Sequence, residues 1–268
     1  MVEEEKFLEI KKKASEIQEM YRNDESQNSF NLLLTGETGT GKSYLLRTAR
    51  RPVHIDSFDP GGTKCLRDEI AKGHIIADTR WENDDPFKPK VWLNWVKESQ
   101  QRMKMGYYDH LGTYVVDSST KWADSIMNQI LFAAGIAGET PRFTKDYHPQ
   151  KTQILNWVKF LLRVPCDFIM TGHLEAHKDD VTGAITYRYM TVGKAVALIP
   201  LEFDEVWTTA TKPKSTGPEY HIITAHTGPY LASTRLGKGG IFKTYETPDI
   251  KYLLKKADLP TDDKPLLI

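Results

Sequence analysis

The sequence predicts an α/β fold: a mostly parallel, twisted sheet flanked by helices, with late antiparallel strands and one added N-terminal helix. Three observations carry this. From residue 30 to about residue 170, short apolar runs alternate with stretches of helical period, and strands that alternate with helices pair in parallel. Beyond residue 200 the apolar runs are parted only by short turns, which suits antiparallel pairing. The composition is globular: 268 residues, 40% hydrophobic and 27% charged, with 18 Gly and 14 Pro. That length allows one large domain with a substantial core.

Residues 3–22 read as a helix, with Phe7, Leu8, Ile10, Ala14, Ile17, Met20 and Tyr21 roughly on one stripe between Glu and Lys. The stripe suits either packing on the chain's own core or a strap docked on a neighbouring subunit. The polar run Asn23 to Asn28 ends it. Phe30–Thr35 is an apolar run suited to a strand buried on both faces, and Ser43–Arg51 continues as a helix. Pro52–Asp56 and His74–Asp78 are the second and third strands. Val91–Met105 is a helix, Thr113–Asp117 the fourth strand, Trp122–Ala134 and Thr152–Leu162 further helices, and Asp167–Thr171 the fifth strand. Residues 174–195 hold two polar turns around Tyr-rich sequence. Phe203–Thr209, Tyr220–Ala225 and Tyr230–Thr234 read as late strands. The Pro- and Asp-rich tail after Ala257 is expected to be loosely held. The chain thus divides into an N-terminal helix and linker (1–28), a core (29–256) and a loose tail (257–268).

Basic and acidic residues balance at 36 each. There is no global basic field to draw nucleic acid, so such binding requires a local channel. Cys65 and Cys166 form no CxxC pair and suit a reducing compartment. The N-terminus lacks the apolar core of a signal peptide, and the longest nearly apolar stretch, Ile130 to Gly138, is too short to cross a bilayer. The expectation is a soluble, cytoplasmic protein with no membrane partner.

The strongest signal is Gly36-Glu37-Thr38-Gly39-Thr40-Gly41-Lys42-Ser43, followed by Tyr44. It fits GxxxxGK[ST] and lies between an apolar strand and a helix, the context that motif needs. The glycines let the backbone turn around a phosphate, and successive N–H groups form an anion nest aided by the helix N-terminus. Lys42 can reach the β- and γ-phosphates and the Ser43 hydroxyl can bind Mg²⁺. The implied ligands are ATP and Mg²⁺. Asp117, ending Tyr114-Val115-Val116-Asp117, supplies a second anionic anchor for the metal. Hydrolysis needs a group that orients or deprotonates water. Asp56 and Asp59, in HIDSFDPGG, are both candidates. His173, just after the fifth strand, is the candidate γ-phosphate sensor, with Thr171 second. His177, Lys178, Tyr187, Arg188 and Tyr189 interleave cations with aromatics, a pattern suited to single-stranded nucleic acid. Arg142 and Lys145 lie in a second basic loop. Lys194, Arg235 and Lys238 are candidates for a cation acting in trans on a neighbour's phosphate.

Together GETGTGKS, HIDSFDPGG, TYVVDSS, FIMTGH, IPLEFDEVW and STRLGKGG resemble the RecA-like P-loop ATPases, and more closely the small phage-encoded recombinases of that family. The resemblance spans roughly residues 30–245. It implies a RecA-like P-loop core that assembles head-to-tail as a filament or ring with ATP at the interfaces. It also implies DNA-lining loops at about Thr140–Thr152 and Glu175–Lys194. Members place a catalytic Glu after the second strand, where this chain has Phe58 and then Asp59. Their sensor is commonly Gln, where this chain has His173. The function implied is an ATP-dependent, single-stranded-DNA-binding recombinase in a phage-infected bacterial cell, working beside a single-strand-binding protein. The alternatives are a RecA-fold helicase or packaging motor, and a nucleotide-switched adaptor with little turnover.

Overall fold

The computed structural model describes residues 2–24, 28–236 and 239–268. In chain order its elements are α1 (Val2–Arg22), β1 (Asn31–Gly36), α2 (Lys42–Leu45), β2 (Val53–Ser57), α3 (Arg67–Ala71), β3 (Ile75–Asp78) and α4 (Val91–Lys104). Then come β4 (Thr113–Asp117), α5 (Ser119–Ala133), α6 (Tyr147–Leu161), β5 (Asp167–Gly172), β6 (Leu174–Lys178), β7 (Ile185–Tyr189) and α7 (Ala195–Glu202). The chain closes with β8 (Glu205–Lys214), β9 (Gly217–Ile223), β10 (Ser233–Thr234), β11 (Tyr245–Glu246) and α8 (Ile250–Lys256).

The main sheet runs β11-β9-β8-β1-β5-β4-β2-β3, with β10 also on β8. Its β8-β1-β5-β4-β2-β3 portion is parallel, and β9, β10 and β11 join antiparallel. Strand alternation sorts the core into two layers. Leu33, Tyr114, Val116, Phe168 and Met170 face a tryptophan-rich layer with Trp92, Trp95 and Trp122 from α4 and α5. Leu32, Leu34, Ile55, Val115 and Ile169 face the other layer, with Leu45 of α2 and Leu253 of α8. Because β1 lies between β5 and β8, the strands on its two sides are reached by different crossovers. The carboxyl end of β1 is therefore a switch point, where open α/β sheets bind ligands.

Several elements depart from the sequence expectation. The helix after β1 lasts one turn and tightens into a 3-10 turn at Leu46–Thr48. Pro52 disfavours a helical residue at 51, so a helix running to Arg51 has no place to end. Helix α6 starts at Tyr147, earlier than residue 152, and α7 was not foreseen. The Tyr-rich segment forms a separate antiparallel hairpin, β6–β7. Within Tyr230–Thr234 only Ser233–Thr234 is strand. All of residues 3–22 are exposed, so the apolar stripe of α1 does not pack on the core. The C-terminal tail is held rather than loose. The Asp263 carboxylate accepts from the Arg51 amide at 2.6 Å and Lys251 at 2.7 Å, and the Lys264 amide donates to the Arg51 carbonyl at 2.8 Å. Part of the linker, residues 25–27, lies outside the described residues.

Candidate active site

The loop from Gly36 to Ser43 can be built only on its glycines. Gly39 and Gly41 have φ of +82° and +92°, where a side chain is strained. A Cβ at Gly36 would lie 2.1 Å from Thr209 Oγ1. Thr40 pins the turn, its hydroxyl donating to the Glu37 carbonyl at 2.7 Å. Glu37, Thr38 and Gly39 form the exposed tip. Lys42 is buried, with Nζ donating to the carbonyls of Gly36 at 2.7 Å and Glu37 at 2.9 Å. Burial lowers its pKa, against the opposing pull of Asp117, Asp59 and Glu37. With α2 only four residues long, anion affinity rests on the N–H groups of the turn more than on a helix dipole. Tyr44 is exposed, and the Arg47 guanidinium lies 4.2 Å from its ring centre.

Beside the loop, three neighbouring strands end on one face. Ser57 pairs with Asp117 in register, and Val116 with Met170, so Asp117 and Thr171 follow side by side. Ser43 Oγ donates to Asp117 at 2.8 Å and Thr171 Oγ1 at 2.5 Å. Burial raises the Asp117 carboxyl above its ordinary range, with those two hydroxyls acting against the rise. On the loop after β2, Asp59 lies 3.6 Å from His173 Nε2. Burial alone would raise the Asp59 carboxyl; His173, with Ser118 and Lys121, outweighs it and holds the group low. The structure therefore brings Lys42, Ser43, Asp117, Asp59 and His173 into one neighbourhood.

Asp56 is a correction. As a residue of the opposite strand parity it faces the tryptophan layer, fully buried. Its carboxylate accepts from the indoles of Trp81 at 3.1 Å and Trp95 at 2.7 Å, from Tyr114 at 2.5 Å and from Arg102 at 2.9 Å. His54 Nε2 is 3.0 Å away. No oxygen remains for water, so Asp56 cannot act on a phosphate. The cluster of His54, Asp56 and Asp78 has metal-ligand types, but the Arg102 guanidinium already bridges Asp56 and Asp78. Sequence reading missed Glu82. It lies after β3 and accepts from Ser57 Oγ at 2.8 Å and the Gly61 amide at 3.0 Å, bracing the loop that carries Asp59. It also missed Tyr220 of β9, whose ring lies 3.3 Å from where a Cβ of Gly41 would be.

The interleaved residues of the hairpin separate into two groups. His177, Lys178 and Arg188 are exposed. Tyr189 is not a free stacking platform: it is 7% exposed and its hydroxyl donates to Ser119 Oγ at 2.7 Å. Tyr187 has one ring face covered by Tyr230, at 4.9 Å and 14° between planes. Arg142 is engaged by the Asp146 carboxylate through its amide and guanidinium, while Lys145 is exposed. Lys194 is exposed at the start of α7. Arg235 donates to the Leu201 carbonyl at 2.6 Å and lines a cleft of about 730 Å³ with Asn31, Gly112 and Cys166, at the strand ends opposite the P-loop. Lys238 lies outside the described residues.

The donor set fits a magnesium nucleotide. A glycine cradle no side chain can replace, a buried lysine, and a hard-oxygen pair in Ser43 and Asp117 are what a triphosphate and its Mg²⁺ require. A protein family described as an AAA domain matches residues 29–236. The chain belongs to this family. The AAA domain thus spans the whole parallel sheet, and the chain is a P-loop ATPase of mixed α/β fold. Two solved structures align with it at low similarity. A KaiC-like protein from the archaeon Pyrococcus horikoshii OT3 shares 15% identity over 72% of this chain and 78% of its own, with a TM-score of 0.42. The flagellar accessory protein FlaH from Methanocaldococcus jannaschii shares 13% identity over 72% and 76%, with a TM-score of 0.39. No curated protein matches the sequence. Among the described residues no helix is long and apolar enough to cross a membrane.

Proposed function

We propose that this AAA domain is an ATP-dependent, single-stranded-DNA-binding recombinase of the phage-encoded kind, assembling head-to-tail with ATP between subunits. One observation supports this above the others. The β6–β7 hairpin follows β5 after the single residue His173, so an arm that exposes His177, Lys178 and Arg188 among the acidic Glu175, Asp179 and Asp180 grows straight from the strand end beside Asp117. Cations on a short arm suit the phosphates of a single strand.

In this reading the turn amides and Lys42 grip the β- and γ-phosphates. Ser43 and Asp117 would hold Mg²⁺, which supplies neutralising charge to the phosphates. His173 keeps Asp59 anionic and fixes its direction toward the attacking water. A carboxylate held below its ordinary range is a weak base, so Asp59 orients water more than it deprotonates it, and turnover is slow. That weakness favours one second reading, a nucleotide-switched DNA adaptor with little hydrolysis.

Turnover with and without single-stranded DNA separates the two. The recombinase reading expects DNA to stimulate hydrolysis, and Lys42→Ala to abolish it. Tight ATP binding with turnover unmoved by DNA supports the adaptor instead.

A further inference from the structure

A continuous hydrogen-bonded path joins the metal-binding carboxylate to the base of the hairpin. Thr171 contributes at both of its polar ends. Its hydroxyl donates to Asp117 Oδ1 at 2.5 Å, and its carbonyl accepts from Ser119 Oγ at 2.7 Å. Ser119 in turn accepts from the Tyr189 hydroxyl at 2.7 Å. Ser43 of the P-loop closes the path, donating to Asp117 Oδ2 at 2.8 Å. Every group along it is buried except Ser43, which is partly so. None of these bonds is readily exchanged for water, and buried polar groups left unpaired are costly.

Packing makes the path tight. The Tyr189 ring lies against Gly172, and a Cβ there would come within 2.4 Å of it. The Met190 amide donates to the His173 carbonyl at 2.9 Å, fastening the returning strand to the sensor segment. Three residues earlier, the Tyr187 amide donates to the Pro229 carbonyl at 2.7 Å and its ring stacks on Tyr230. By contrast, the outer part of β6 and the turn to β7, residues 175–185, are exposed. The hairpin is therefore an arm with an exposed outer end, held at Tyr187 by Pro229 and Tyr230 and hinged at Tyr189 on the strand end that carries Thr171.

We infer that Tyr189 is a positioning residue that couples nucleotide occupancy at Asp117 to the orientation of the β6–β7 arm, through Ser119 and Thr171. Asp117 cannot turn toward a metal–nucleotide complex without altering its bond from Thr171, and Thr171 cannot shift without moving the acceptor of Ser119. The arm follows because Tyr189 has no other partner for its hydroxyl in the path. This inference rests on reading the P-loop as the nucleotide site and, for one of its two tests, on reading the arm as the DNA contact.

The test is Tyr189→Phe, which keeps the ring on Gly172 and removes only the donor. The first arm needs no DNA. Amide hydrogen exchange over residues 174–190 is measured with and without a non-hydrolysable ATP analogue and Mg²⁺. In the unmodified protein the analogue is expected to slow exchange in the arm about tenfold. In Tyr189→Phe that response is lost while the analogue's Kd stays within twofold. In the second arm, the factor by which the analogue tightens binding of a labelled oligo-dT falls about tenfold, with KM for ATP unchanged. Gly172→Ala, which displaces the ring, is expected to give the same uncoupling. If Tyr189→Phe keeps the full exchange response, or if the arm of the unmodified protein ignores bound analogue, the coupling is refuted. If the exchange response behaves as expected but oligo-dT does not bind, the DNA reading fails and the coupling stands.

Discussion

Asp117 is held where its charge is unwelcome. Burial raises its pKa in the folded protein, so the folded state keeps this proton more tightly than the unfolded chain does. Stability of the nucleotide-free protein therefore falls as pH climbs through that raised value. Asp117→Asn removes the charge and is expected to raise the melting midpoint near neutral pH by about 2–4 °C, the effect of roughly 1 kcal/mol in a chain of this size. The same change should abolish hydrolysis; a lower midpoint would refute the claim of a strained carboxylate. Asp56 behaves oppositely. Despite the cost of burial, His54, Arg102 and Tyr114 hold it far below the ordinary range, so its contribution is present above the unfolded carboxylate pKa and lost as pH falls through the depressed value. Asp56→Ala leaves Arg102 buried without that partner and should cost about 3–5 kcal/mol in urea unfolding. Both aspartates end apolar runs, which made both visible in the sequence. What separates them is strand parity: Asp117 shares the face of Val115 and α2, and Asp56 shares the face of His54 and the indoles. Choosing between them needs to know which layer α2 covers. Glu82 had no such signal, because only the folded path from β3 brings it to Ser57 and Gly61.

Among the elements, the P-loop was legible because its glycines and lysine have fixed spacing and a strand before them. The hairpin was not. Although β7 alternates Ile185, Tyr187 and Tyr189 with Thr186 and Arg188, its partner β6 is polar and exposed beyond half-buried Leu174, so the segment holds no second apolar run to pair with it. Helix α7 is hidden for the opposite reason, since AVALIPLE is nearly all apolar and holds Pro200 inside it. If the hairpin carries DNA, replacing Lys178 and Arg188 by Ala should weaken binding and reduce the slope of log affinity against log salt by about 1.4, at roughly 0.7 per lost phosphate contact on single strands. An unchanged slope would take the arm out of the DNA path.

At the scale of the whole molecule, the sheet order brings β1, β4 and β5 together although long stretches of chain part them, which is why five of the six parallel strands could be expected but not their neighbours; the sixth, β8, was expected to be antiparallel and instead pairs parallel with β1. Two terminal segments behave differently. The tail is tied to Arg51 and Asp109, whereas α1 exposes Phe7, Ile10, Ile17 and Tyr21. In the head-to-tail assembly proposed above, a second copy covers that stripe. Removing residues 1–22 should therefore leave the melting midpoint within about 1 °C, as loss of exposed groups does, and abolish self-association in sedimentation; an oligomer that survives the deletion would sink this role for α1. The tryptophan layer has a consequence of its own. Trp92 and Trp95 lie 5.5 Å apart at 22°, Trp95 meets Phe58 at 6.1 Å, and Trp81 immediately precedes Glu82. The indoles thus sit directly beneath the segment that carries Asp59, and the molecule holds a built-in optical gauge: rearrangement of that segment registers in ultraviolet emission and near-ultraviolet dichroism with no dye attached.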